Sequence, residues 1–177
     1  RSLAGILYRR ENITTDHRDI SSFGGWRAYA RATAAASGTS VGGSPPAEAN
    51  RAAVLRIYLE VLNQGGHHLV PELFAPDVVD HRKTPGLPRG LDNILEGARI
   101  NRVAFPDLQF SVEDITAEGD LVFARWVMRG THLGEFMGSA ATGLPVAWCG
   151  VTQFRFSGGR VIERWLYADP IAFGSSG

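Results

Sequence analysis

The residues suited to acid–base work in this chain are few. Asp80 and His81 adjoin each other, and an imidazole near its ordinary pKa of about 6.5 makes a good proton shuttle. Neighbouring side chains in extended backbone point to opposite faces, so only one of this pair faces inward. His132 closes a strand-like stretch whose even-numbered face is apolar. From there it can reach the mouth of a pocket or cap the loop Gly134–Gly143 that follows. Arg164 is a permanent cation: no base near neutral pH, but able to hold an enolate, a carboxylate or a developing oxyanion. Asp80, His81, His132 and Arg164 therefore form the candidate catalytic set. The plainer reading is that Asp80 only pairs with Arg164 or bonds to backbone, and that His132 only caps its loop.

Other chemistries find less support. His67 and His68 sit beside a Gly-Gly pair without HxH or HExxH spacing, which argues against zinc and leaves no metal site. Cys149 falls on the outward parity of its strand with no obvious partner, so it is a poor candidate nucleophile. The chain contains neither a GxGxxG fingerprint nor a P-loop.

The elements that must position these groups follow from periodicity. Ala47–Asn63 reads as a helix, with Ala49, Ala53, Ile57 and Val61 on one face and Val54, Leu55, Tyr58 and Leu62 widening the stripe. His68–Phe74 reads as a second short helix broken by Ala75-Pro76-Asp77, Val78–His81 as a short strand, and Thr84–Gly90 as a loop. Leu91–Phe105 is a further amphipathic helix stopped by Pro106. Strands follow at Gln109–Glu118, Leu121–Thr131 and Pro145–Phe156, and Gly158-Gly159 turns the chain into a last strand, Arg160–Tyr167. Helices first and antiparallel strands later is the α+β pattern of helices laid on one face of a sheet.

Strand alternation points to a one-sided interior. Val122, Ala124, Trp126 and Met128 share one face of their strand, as do Val146, Trp148, Thr152, Phe154 and Phe156 of the next, opposite Arg125, Arg129, Gln153 and Arg155. In the last strand the pattern is ambiguous between Val161, Glu163, Trp165 and Tyr167 on one side and Ile162, Arg164 and Leu166 on the other. Ordinary core packing accounts for any single aromatic here. Together, Tyr58, Trp126, Met128, Trp148, Thr152, Phe154 and Leu166 predict a large apolar pocket for a small hydrophobic, polycyclic substrate.

Composition bounds the rest. The chain has 177 residues, 44% hydrophobic and 20% charged, the profile of one globular domain with an appendage. Eighteen basic residues balance eighteen acidic ones. That neutrality argues against nucleic acid or an anionic membrane as partner, and no apolar run approaches a membrane span. A single cysteine excludes an intrachain disulfide and fits a reducing, cytoplasmic setting. The charge is unevenly placed: residues 1–46 carry a net +3 and residues 47–177 a net −3. Ala32–Pro46 is small, polar and rich in Gly, Ser and Pro, like a linker, and Trp26–Ala36 admits a short helix. Residues 1–46 are read as a non-catalytic extension and 47–177 as the working domain.

A family resemblance runs through that domain. Glu72–His81, Phe105–Leu108, Val112–Ile115, Glu118–Val122, Gly130–Gly138, Thr142-Gly143, Phe154–Trp165 and Asp169 occur in the order and spacing of SnoaL-like polyketide cyclases, of the NTF2-like superfamily. The chain resembles that family across Ala49–Asp169. The resemblance implies a cone-shaped α+β barrel with helices packed on a curved, mostly antiparallel sheet. It also implies a buried pocket, a homodimer, and neither metal nor organic cofactor. It brings departures too. Leu166 stands where relatives that close a ring by an aldol step carry an acidic base, Arg164 where they often carry an acid or histidine, and Thr152 where some carry histidine. No Arg-x-Asp occurs in the chain, which disfavours limonene-type epoxide hydrolysis, and a ketosteroid-type set of two carboxylates is lacking. The expected function is a cyclase or isomerase of natural-product biosynthesis that works by shape and orientation. A non-catalytic carrier or resistance protein for a hydrophobic metabolite is the alternative, and a pure dimerisation module a distant third.

Overall fold

The computed structural model describes residues 44–82 and 89–169. The expected Trp26–Ala36 helix, and most of the linker and of the Thr84–Gly90 loop, lie outside these residues. Helix α1 spans Pro45–Arg56, starting two residues ahead of the expected Ala47. Pro45 and Pro46 suit a first turn, where their fixed φ is helical and a missing N–H costs nothing. The helix then widens into a π-helical segment, Ile57–Asn63, and its buried face continues from Val54 through Ile57, Tyr58 and Val61. The Asn63 side chain ties this end to the sheet, accepting from the Phe110 N–H at 2.7 Å and donating to the Phe110 carbonyl at 2.9 Å.

A 3-10 turn at His67–Leu69 and one α-helical turn, α2 at Val70–Leu73, replace the single helix expected at His68–Phe74. Strand β1 then runs Phe74–Asp80, longer than the expected Val78–His81. Pro76 does not break it because β1 is an edge strand, where a residue without an N–H is tolerated. Helix α3 spans Leu91–Ala104 and leaves helical geometry at Phe105, just before Pro106. Gly90 starts it at φ 64° and ψ −145°, and a Cβ there would lie 2.6 Å from the Pro76 carbonyl oxygen. Only glycine fits.

Strands β2 (Gln109–Glu118), β3 (Leu121–Thr131), β4 (Pro145–Ser157) and β5 (Arg160–Ala168) complete a five-stranded sheet of order β1-β5-β4-β3-β2. Three pairs are antiparallel, and β1 joins β5 in parallel. Gly158 and Gly159, at φ 56° and 78°, make the two-residue turn expected between β4 and β5. The inward faces predicted for β3 and β4 are buried: Val122, Ala124, Trp126 and Met128 on one, Thr152, Phe154 and Phe156 on the other. The ambiguity in β5 has a structural cause. Phe156 pairs with Val161 but Arg155 with Glu163, so Ile162 is an extra residue that switches parity. Val161 enters the core before this bulge, and Arg164 and Leu166 face inward after it. Among the described residues, no helix is long and apolar enough to cross a membrane.

Candidate active site

Helix α3 contributes Ile94, Gly97, Ala98 and Asn101 to a cavity, spaced i, i+3, i+4 and i+7 and hence along one helical face. The π-helical segment contributes Tyr58, Val61 and Leu62, and the sheet Trp126, Trp148, Thr152, Phe154, Arg164 and Leu166. The cavity is partly open to one side, and its volume of about 60 Å³ is much tighter than the large pocket expected from the sequence. Aromatic rings packed edge to face fill the difference. Trp126 meets Phe110 at 5.4 Å and 67° and Trp148 at 5.7 Å and 85°, while Tyr58 meets Phe154 at 6.4 Å and 88°. Gly150, opposite Trp126 in the ladder, leaves room for the indole: a Cβ there would sit 2.7 Å from its Cζ2.

A small polar network crosses this apolar wall. Trp126 Nε1 donates to Thr152 Oγ1 at 2.9 Å, and the Tyr58 hydroxyl lies 3.1 Å from the same oxygen. Indole can only donate, so Thr152 Oγ1 must accept from it. The two hydroxyls share one hydrogen bond but own two protons. One proton is therefore left to donate, and both hydroxyl-bearing residues line the cavity. Burial pushes the Tyr58 phenol well above its ordinary pKa, so it stays protonated and acts as a donor.

The charged end of the cavity is built by the parallel pairing of β1 with β5, which sets Asp80 opposite Arg164. The Asp80 side chain is 2% exposed and its Oδ2 accepts from Arg164 Nη2. Its Oδ1 accepts from the Arg82 backbone N–H at 3.1 Å. Arg164 and Arg82 both line the cavity, whereas Asp80 lies behind Arg164. Leu166 lines it as well, cross-strand from Thr152. Among the described residues, no carboxylate or imidazole lines the cavity.

The remaining candidates lie elsewhere. His81 faces the outer side of the sheet, stacked on Trp165 at 4.3 Å and 3°, with Nε2 3.6 Å from Glu163. His132 is fully buried but does not line the cavity. Its Nδ1 lies 3.2 Å from Thr142 Oγ1, and its backbone bonds to Leu144 and Gly143, so it holds the β3–β4 connection closed. Met128 is buried without lining the cavity. Cys149 does have a partner: its thiol donates to Asp169 Oδ2 at 3.3 Å, and burial with that carboxylate raises its pKa. Arg82, Phe110 and Asn101 are lining residues that the sequence reading missed. Asn101 was within reach through the helical spacing of α3. Arg82 was not, because it follows β1 in irregular backbone where no periodicity assigns a direction.

A curved sheet with helices over its concave face, enclosing one end of a strand pair in a charged pocket, is the cone-shaped barrel of the NTF2-like class. Within it, the chain belongs to the SnoaL-like polyketide cyclase family, whose model matches residues 52–174. A SnoaL-like polyketide cyclase, so assigned, from Jannaschia sp. CCS1 superposes with a TM-score of 0.66 at 27% identity, covering 73% of this chain and 92% of that one. IdmH from Streptomyces antibioticus, assigned as a polyketide cyclase, is 34% identical with a TM-score of 0.58, over 71% of this chain and 93% of its own. AclR from Streptomyces galilaeus, assigned as a hydroxylase, is 29% identical with a TM-score of 0.60, over 70% and 90%. No curated relative matches the chain.

Proposed function

We propose that this protein is a cyclase or isomerase acting on a hydrophobic polyketide-type intermediate, by holding it in a reactive fold and polarising a carbonyl. The observation that carries this reading is the polar inventory of the cavity: apolar walls, one uncommitted hydroxyl proton at Thr152–Tyr58, and the Arg164 guanidinium. Donors aimed into a dry cavity stabilise a developing enolate or alkoxide. Orientation alone can supply about 7–11 kcal/mol of barrier lowering in favourable cases. With Leu166 at the position of the family's acidic base, Asp80, beside Arg164, is the nearest group able to take up a proton. The reading assigns the chemistry to residues 47–177, none to residues 1–46, and calls on no cofactor.

The absence of a carboxylate or imidazole from the lining, among the described residues, favours one second reading, a binding protein that turns nothing over. The two part in one experiment. Linear poly-β-keto acids and their thioesters are incubated with the protein and followed by mass spectrometry and by tryptophan fluorescence. The cyclase reading expects ring-closed product at an accelerated rate, at least tenfold slower in Arg164→Lys. Quenching without product leaves the binding protein.

A homodimer belongs to the same proposal. Phe123, Val151 and Tyr167 are exposed apolar groups on the outer face of β3, β4 and β5, with Val151 and Tyr167 directly paired. Tyr167→Asp is expected to convert a dimer to monomer in light scattering, and a monomeric parent protein removes the dimer from the reading.

A further inference from the structure

Two guanidinium groups line the cavity, yet one carboxylate serves them. Asp80 is committed through Oδ2 to Arg164 and through Oδ1 to the Arg82 backbone, not to the Arg82 side chain. Arg82 makes no ion pair among the described residues. The Nε atoms of Arg82 and Arg164 are both buried without a hydrogen-bond partner. His81 and Glu163 add nothing, since they face the outer side of the sheet, and Tyr58 is neutral. Among the described residues, the charged end of the cavity therefore holds two cations and one anion, beside an apolar wall.

Such an arrangement is costly when empty. A half-buried cation without a partner loses part of its hydration and gains no bond in return. The Arg82 guanidinium is held below its ordinary pKa, first by burial and then by the charge of Arg164. The fold nevertheless makes room for it. Gly97 on α3 has no side chain, and a Cβ there would lie 3.2 Å from Arg82 Nη2.

We infer that the cavity takes a ligand bearing a carboxylate, which docks on the guanidinium groups of Arg82 and Arg164 while its apolar body lies against Trp126 and Phe110. Planar N–H groups match the two oxygens of a carboxylate. The Thr152–Tyr58 hydroxyl pair is then left to meet the carbonyl that reacts. This rests on the cavity being the working site and narrows its substrate class to organic acids rather than neutral ketones or thioesters.

The test compares trans-cinnamate with trans-cinnamamide, of like shape but uncharged, by calorimetry on the full chain. Charge-assisted hydrogen bonds set the expected preference for the acid at tenfold or more. Arg82→Met is expected to bring the two affinities within about twofold of each other. It should keep its fold, because no carboxylate depends on the Arg82 side chain, and circular dichroism checks this. Gly97→Ala, which presses on Arg82 Nη2, is expected to weaken cinnamate more than cinnamamide. Equal affinities in the parent protein, binding of neither probe, or a preference unchanged in Arg82→Met would each overturn the inference. Acid preference without turnover of any acid or thioester overturns the cyclase reading alone. Turnover with equal affinities overturns this inference alone.

Discussion

Replacing Arg164 by methionine is expected to lower the stability of the folded protein by about 3 kcal/mol, and adding Asp80→Asn to the same chain to recover most of that loss. The Asp80 side chain is 2% exposed, and Arg164 is its sole ion-pair partner among the described residues. Without the guanidinium, a charged carboxylate stays in the interior with a single backbone N–H, that of Arg82, bonded to it. An amide at position 80 accepts the same N–H and carries no charge to strand. Asp80→Asn alone is the milder change, on the order of 1–2 kcal/mol, because Arg164 is itself 16% exposed and the one amide oxygen still serves either Arg164 or the Arg82 N–H. Urea unfolding of the four proteins, with unchanged m values, measures the coupling. Strictly additive losses in the double variant would show that the two charges do not depend on each other.

Thr152→Val is expected to cost a further large amount, about 2–4 kcal/mol, although it barely changes volume. Valine offers no oxygen, so the Trp126 Nε1–H and the Tyr58 O–H both lose their partner within the interior, where Trp126 is 1% and Tyr58 3% exposed. Each stranded donor costs roughly 1–3 kcal/mol. Thr152→Ser restores the oxygen and should return most of the stability at the expense of one methyl contact. The same pair reads out function: valine also removes the proton that the hydroxyl pair has to spare. Turnover should fall at least tenfold in Thr152→Val and recover in Thr152→Ser. If valine unfolds at the parent's urea concentration, the network is not holding the wall together.

How much of this was legible beforehand follows from local regularity. β3 is paired without interruption along Leu121–Thr131, so parity along the chain translates directly into facing, and Trp126, Thr152 and Phe154 were placed on the cavity wall from alternation. The β5 bulge at Ile162 defeats that translation, since a residue is inserted without altering the hydrophobic pattern before it. Pro76 misled for another reason. It reads as a breaker, and only the position of β1 at the sheet edge, a property of the whole topology, makes it acceptable. The pairing of Asp80 with Arg164 was open as an alternative because opposite charges near an interior must meet something. What hid His132 from the cavity was the course of the β3–β4 connection, which closes over it and carries no periodicity.

The parallel seam between β1 and β5 governs when the site comes into being. Asp80 and Arg164 lie 84 residues apart in sequence, and the ladder continues past them with the His81 N–H donating to the Arg164 carbonyl at 2.8 Å. The hairpins β2–β3 and β3–β4–β5 form from neighbours in the chain, whereas this contact closes almost the whole domain into one loop. Closure of so long a loop carries a large entropy cost and comes late in folding. Because β1, like β2 at the other edge, has a strand on one side only, it opens at less cost than the three strands between them. The charged end of the cavity thus assembles late and sits on a part of the sheet that opens readily. A ligand seated there is expected to slow hydrogen exchange at the His81 backbone amide, which bonds across this seam.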